Sequence, residues 1–253
     1  MPAFRMDEIM KRYHDYGDDT FWVLWTKDPR NIIKHGMDFR RVALQLTVTG
    51  MGGSTVEPGV PGFNAVWDSV AQLIAAGFNS KLINWRFDPI VPGFNLPVSE
   101  QDIAASLMWR YFEHHANKAM ELGIQRCIVS FVNLYPVVRT RWPECKISEI
   151  TLERKREIVT RMKVILGDIE LLGCVEPELR DIIRPSACID GDYYSSVTGF
   201  TFSNNKDKYQ RANCTCTESV DIGRYRVCPH NCLYCYSRES DKPKTAQLSM
   251  FSV

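Results

Sequence analysis

The chain has no uninterrupted apolar run of about 18 residues, so no segment reads as a membrane-spanning helix. Neither sign of charge dominates. The 31 Lys+Arg stand against 30 Asp+Glu, a net charge of +1. That balance excludes a strongly basic nucleic-acid binder, though not an enzyme that grips a short piece of nucleic acid in one pocket. The opening residues, MPAFRMDEIMKRYHDY, lack the apolar centre of a secretory signal. The expected location is therefore a reducing cytoplasm. Internal repeats, low-complexity tracts and heptads are also lacking, which excludes a repeat array or a coiled coil. The nine cysteines are an odd number and, without export, argue against a disulfide framework.

What is present is 253 residues, 45% of them hydrophobic, enough for one large α/β domain. Short β-type runs fall at 20–25, 42–49, 82–87, 127–131 and 170–174, each ending near a polar residue, Gly or Pro. Helical spacing fills the gaps at 6–16, 63–76, 103–122 and 151–166, with Gly17, Gly77, Gly123 and Gly167 as stops. Ser99 is available to cap the third of these, and Ser148 or Thr151 the fourth. Such alternation predicts βαβ units, a parallel sheet and right-handed connections. Beyond Gly173 the pattern weakens. Short helical turns are expected at 178–183 and 190–197, then a polar, cysteine-rich lobe held by metal more than by a core.

Period-two alternation places Gln45, Thr47 and Thr49 on one face of their strand, and Asn84, Arg86 and Asp88 on one face of the next. A parallel sheet covered on both sides is ordinarily apolar on both. Two readings stand level: a lumen holding a polar ligand, or an Arg86–Asp88 ion pair that fills the interior.

Five cysteines crowd into the 22 residues from Cys214 to Cys235. The last three read Cys228-Pro-His-Asn-Cys232-Leu-Tyr-Cys235, a C-x3-C-x2-C loop with Tyr234 before the final Cys. Three thiolates on one loop suit three irons of a [4Fe–4S] cluster and leave the fourth open to a small molecule. The competing reading is a structural zinc site, which favours separated C-x2-C pairs.

This loop resembles the signature of radical S-adenosylmethionine (SAM) enzymes. That resemblance implies an open iron that chelates SAM, and one-electron cleavage to methionine and a 5′-deoxyadenosyl radical. Further segments are similar to a bacterial family catalogued as domain of unknown function 1848, noted for such a C-terminal cysteine cluster. They are FWVLWTKDP from Phe21, QLTVTG from Gln45, NWRFDP from Asn84, CIVSFVNLY from Cys127, Cys174-Val-Glu176, Ser186-Ala-Cys188-Ile-Asp190, KDKYQR from Lys206 and Cys214-Thr-Cys216 through Tyr225. The resemblance implies a permuted order, with the cysteine loop after the barrel strands. It also implies one further strand ahead of Pro2, whose place another segment takes if the barrel does not stay open. Cys174, Cys188, Cys214 and Cys216 match the family pattern, which implies a second [4Fe–4S] cluster, or zinc; four thiolates suffice for a closed site. Alternatively Cys216 donates a hydrogen atom to a substrate radical. Cys127 and Cys145 read as bystanders.

The expected fold is α/β: a parallel (β/α) partial or six-stranded barrel over 1–185, a cysteine-rich lobe over 186–240 and a tail over 241–253. Cys228, Cys232 and Cys235 are the expected cluster ligands. Gln45, Thr47, Thr49, Gly52, Asn84, Arg86, Asp88, Glu176 and Tyr234 are candidates to hold SAM, with Cys216, Asp88 and Tyr234 as candidates for a part in the chemistry. Thr49-Gly-Met-Gly-Gly53 follows a strand, where ligand loops sit, or is a flexible turn. Glu176 binds SAM or caps the turn after it, and Lys27 and Asp28 carry the same ambiguity; His230 tunes the cluster or contacts substrate, or is there for loop geometry alone. His114–His115 and Arg154-Lys155-Arg156 read as solvated helix surface. Residues 199–253 carry eight Lys+Arg against five Asp+Glu, a slight pull toward an anion such as DNA or a solvated tail. The expected activity is hydrogen abstraction fed by an electron donor such as flavodoxin or ferredoxin, on a substrate that includes nucleobases in DNA among the options. The alternative is a non-catalytic iron–sulfur electron carrier or a zinc-stabilised binding module.

Overall fold

Six parallel strands pair, the first four rich in β-branched and aromatic residues: β1 (Trp22–Thr26), β2 (Val42–Thr47), β3 (Ile83–Ile90), β4 (Arg126–Phe131), β5 (Glu170–Gly173) and β6 (Arg184–Pro185). Their order in the sheet is their order in the chain. The computed structural model describes residues 2–17, 19–95, 103–140, 150–223 and 226–238. Ser99, Cys145, Ser148, Tyr225 and the tail lie outside the described residues. Helices α1 (Pro2–Tyr16), α2 (Phe63–Ala75), α3 (Ile103–Glu121), α4 (Pro136–Arg139), α5 (Leu152–Leu166) and α6 (Gly191–Thr198) fill the connections and follow the last strand. The sheet is open: β1 pairs with β2, β6 pairs with β5, and the two do not meet.

Right-handed crossovers that always step to the next strand put their helices on one face. Trp67 of α2 meets Trp85 of β3 edge-on at 5.9 Å, and Phe112 of α3 stacks on Trp85 at 5.6 Å. That face carries the rung Thr26, Leu46, Trp85, Cys127 and Leu171. The opposite face carries the rungs Trp25–Gln45–Asn84–Arg126–Glu170 and Thr47–Arg86–Ile128–Leu172–Arg184. The polar positions that alternation predicted therefore do line up across strands. Local signals hold too: Thr151 accepts from Arg154 N (3.2 Å) at the start of α5, and Asp190 accepts from Tyr193 N (3.0 Å) at the start of α6.

Several expectations are corrected. His115 is buried, not surface, because the α3 face that carries it meets Trp67, Trp85 and Phe87. Lys155 and Arg156 are not simply solvated. Lys155 bonds Glu178 (2.7 Å) and Glu176 (3.3 Å), and Arg156 pairs with Asp181, tying α5 to the 3-10 turn Pro177–Leu179. Strand β6 has two residues, one a proline, too short to show a period.

Candidate metal centres at the carboxyl edge of the sheet

The C-x3-C-x2-C loop lies against the segment that leaves the carboxyl end of β2. Leu233 N donates to Val56 O (2.9 Å), and Gly59 N donates to His230 O (3.0 Å). The His230 ring returns a bond to Gly59 O (2.7 Å); a carbonyl only accepts, so Nδ1 carries the proton. A Cβ on Gly59 would fall 2.6 Å from Pro229 O, so only glycine permits this approach. Gly52 is under the same constraint, 2.2 Å from Pro61 O, which keeps the 49–61 segment folded on itself.

Glu57, buried beneath this contact, is the hub. It accepts from Lys27 Nζ (2.9 Å) at the end of β1, from Thr49 Oγ1 (2.9 Å) and from the Tyr234 hydroxyl. Burial pushes its carboxyl up, but the Lys27 ammonium and the three hydrogen bonds outweigh that and hold it below the usual value. Burial and the Glu57 carboxylate push the Tyr234 hydroxyl well above its usual value. Within the loop, the backbone N–H groups of His230 and Asn231 point at Cys228, and Cys235 N donates to Cys232 O (3.1 Å). Burial pushes the Cys232 thiol up to about 12. Lys27 and Tyr234 act against that rise without overcoming it, and a metal ion at the sulfur would be needed to hold the thiolate.

A second group of thiols gathers over the polar face. Cys174 Sγ lies 3.8 Å from Cys188 Sγ, Cys188 N donates to Cys216 Sγ (3.2 Å), and Cys216 N donates to Cys214 Sγ (3.5 Å). Cys188, Cys214 and Cys216 are buried together, with Cys174 packed against them. Arg86 Nη1 donates to Cys188 Sγ (2.8 Å), while Nη2 pairs with Asp88. Hydrogen bonds from Cys174, Cys216 and Arg86, together with the Arg86 charge, hold the Cys188 thiol well below its usual value. Sharing with that sulfur and burial push Cys174 and Cys216 up. The sulfurs are hydrogen-bonded to one another rather than closed around a centre. Among the described residues, no group of three or more His, Cys, Asp or Glu is arranged as a formed metal site.

The family model described as Domain of unknown function (DUF1848) matches residues 4–237. The chain belongs to this family. No curated protein and no solved structure matches the chain.

In this DUF1848 chain the remaining candidates divide. Gln45 and Asn84 are fully buried and bond the Tyr194 hydroxyl (3.2 and 3.4 Å), and Gln45 also donates to Cys188 O. Tyr194 donates in turn to Cys188 O (3.2 Å). Tyr194 of α6 thus caps this part of the polar face. Arg86 and Asp88 form the anticipated ion pair, with Asp88 also accepting from Ser130 Oγ, yet Arg86 faces the thiols as well. Thr49 joins Glu57, while Thr47 is half-buried one rung away. Glu176 stands apart, accepting from Phe131 N (2.8 Å) and Lys155, and its side chain makes no cap bond to the turn it precedes. Lys27 engages Glu57, and Asp28 engages Arg30 (2.6 Å). Glu57 and Tyr194 are the residues that sequence reasoning missed. Glu57 sits in a Val-Glu-Pro-Gly run with no motif, and Tyr194 beside Tyr193 in a short helix shows only helical spacing.

Proposed function

We propose that this DUF1848 protein is a radical-SAM enzyme whose [4Fe–4S] cluster is held by Cys228, Cys232 and Cys235. The observation that carries the reading is the docking of a three-thiol loop on the carboxyl ends of β1 and β2, through Gly59–His230, Val56–Leu233 and Glu57–Tyr234. Ligands of parallel α/β sheets bind at that edge. The donor set fits: three cysteines in eight residues, two backbone N–H groups aimed at Cys228, and a half-buried cation, Lys27, near Cys232. When bound, a cluster with one open iron supplies the site for SAM and the electron that splits it into methionine and a 5′-deoxyadenosyl radical, which takes a hydrogen atom from substrate.

The chain's own residues then have distinct tasks. Glu57 fixes the Tyr234 ring beside Cys232 and holds Lys27, whose charge offsets that of the thiolates. Thr49 and Gly52 shape the segment that receives the loop. On this reading the sheet wraps as a partial barrel, with residues 186–238 closing its carboxyl end. Support comes from the unreversed strand order and from Tyr194, which reaches both β2 and β3. An electron donor such as flavodoxin or ferredoxin completes the system.

The test is anaerobic reconstitution of the full chain with iron and sulfide, then SAM and dithionite. The expected result is 5′-deoxyadenosine from wild type and none from Cys228→Ala, Cys232→Ala or Cys235→Ala. A reconstituted cubane in wild type that yields no 5′-deoxyadenosine would overturn the reading in favour of an electron carrier.

A further inference from the structure

We infer that Cys174, Cys188, Cys214 and Cys216 form a closed, tetrahedral site for one thiophilic divalent cation, of which zinc is the type, and that Arg86 is its outer partner. The site is separate from the C-x3-C-x2-C loop and does not depend on that loop's chemistry.

Three observations converge. The first is sulfur spacing. Four sulfurs at about 2.3 Å from one ion define a tetrahedron with edges of about 3.8 Å. Cys174 Sγ and Cys188 Sγ already lie 3.8 Å apart. A cubane puts each thiolate on a different iron and so spreads them farther. The spacing of this pair therefore fits one ion better than a second cluster. The second is the donor pattern. Cys188 N and Cys216 N each point at a neighbouring sulfur, and such bonds favour the thiolate over the thiol. The third is charge. Four thiolates around a divalent ion carry two negative charges, and the buried Arg86 guanidinium sits 2.8 Å from one of the sulfurs. That guanidinium is the kind of outer group that orients and stabilises a ligand.

Burial shows that the site is structural. Cys188, Cys214 and Cys216 are buried and Cys174 is half-buried, so four protein sulfurs leave no open position. The ligands come from the end of β5, from the loop after β6 and from residues 214–216 of a lobe with little regular structure. One ion would pin that lobe across the polar face, where Thr217 N bonds Ile189 O (2.8 Å) and Asp207 N bonds Cys216 O (2.9 Å). Closing the tetrahedron from the hydrogen-bonded cluster calls for rotation about Cα–Cβ bonds among their staggered wells.

The test uses the full chain purified without added iron. Metal analysis is expected to find one zinc per chain, and zinc-edge X-ray absorption four sulfurs at about 2.3 Å. Cobalt(II) exchanged into the same protein should show the intense visible bands of a tetrahedral tetrathiolate. Cys188→Ser and Cys216→Ser should lose zinc, while Cys228→Ser and Cys232→Ser keep it. Arg86→Gln should weaken zinc affinity by about 10–100-fold, read by competition with a chromogenic chelator. If the serine variants fail to fold, the wild-type absorption spectrum decides alone. Nitrogen or oxygen in the shell, zinc below one half per chain, or a second cubane signal that Cys214→Ser removes would each overturn the inference. None of these outcomes bears on whether SAM is cleaved, so this site and the loop fail independently.

Discussion

Gly59 and His230 hold each other twice, N–H to carbonyl at 3.0 Å and ring Nδ1 to carbonyl at 2.7 Å, across 171 positions of chain. This pair joins the cysteine loop to the sheet. Both bonds use main-chain atoms of Gly59, so the contact depends on the absence of a side chain there. Gly59→Val places a Cβ 2.6 Å from Pro229 O. The expected cost is about 1–3 kcal/mol, as for other overpacked sites. The loop should undock while the sheet persists. Far-ultraviolet circular dichroism should stay native as reconstituted iron falls sharply; full iron loading in the variant would refute the role of the contact.

Glu57 balances a half-buried ammonium. Glu57→Gln leaves Lys27 without its carboxylate, at a cost of about 1–3 kcal/mol, as for a buried polar group left without its partner. Lys27→Met combined with Glu57→Gln should recover part of that loss in urea unfolding. A double variant no better than Glu57→Gln would show that the unpaired charge is not the cause.

His115 predicts a pH dependence. Burial, with His114 adding to it, lowers its pKa to about 3, and Nδ1 accepts from Trp67 Nε1 (3.0 Å), so the folded state holds the neutral ring. The unfolded ring titrates near about 6.5. The folded pKa is depressed, so the contribution is complete above about pH 6.5 and is lost as pH falls toward about 3, with a limiting slope of about 1.4 kcal/mol per unit. His115→Gln keeps an acceptor for Trp67 but does not titrate. The difference in unfolding free energy between wild type and variant should shrink steadily from pH 7 to pH 4; a constant difference would count against it.

Tyr194 closes the polar face. Its hydroxyl receives Gln45 and Asn84 and donates to Cys188 O. Tyr194→Phe leaves buried amide hydrogens short of a partner, at a cost of about 1–3 kcal/mol. Thermal unfolding should drop by roughly 2–4 °C for each kcal/mol lost. An unchanged midpoint would mean that the amides find other partners.

Much of the fold was legible in local pattern. Five of the six strands and all three long central helices follow from period and stop signals, because amphipathic alternation reports which side of an element is buried. The placing of Gln45 and Thr47 on one face, and of Asn84 and Arg86 on one face, followed from the same parity, while their pairing with one another came from the strand register. The candidate site was legible only in part. Cysteine spacing marked the C-x3-C-x2-C loop and the family resemblance the other four candidate thiols, but neither the hub Glu57 nor the cap Tyr194 carries a motif. Their importance comes from partners 177 and 149 positions away. His115 was misread for a related reason: helical parity separates it from His114 but does not say which of the two meets the sheet.

From residues alone came the chemistry available: a parallel α/β chain, a three-thiol loop and a polar strand face. These are properties of composition and of spacing within about ten residues, where the backbone's own periods act. Only the tertiary structure decided which groups meet. It set the loop against the segment that follows β2, gathered Cys174, Cys188, Cys214 and Cys216 over Arg86, and turned Gln45 and Asn84 toward Tyr194 of α6. Those choices belong to long-range packing, where burying one face of the sheet and satisfying every polar group on the other selects a single arrangement.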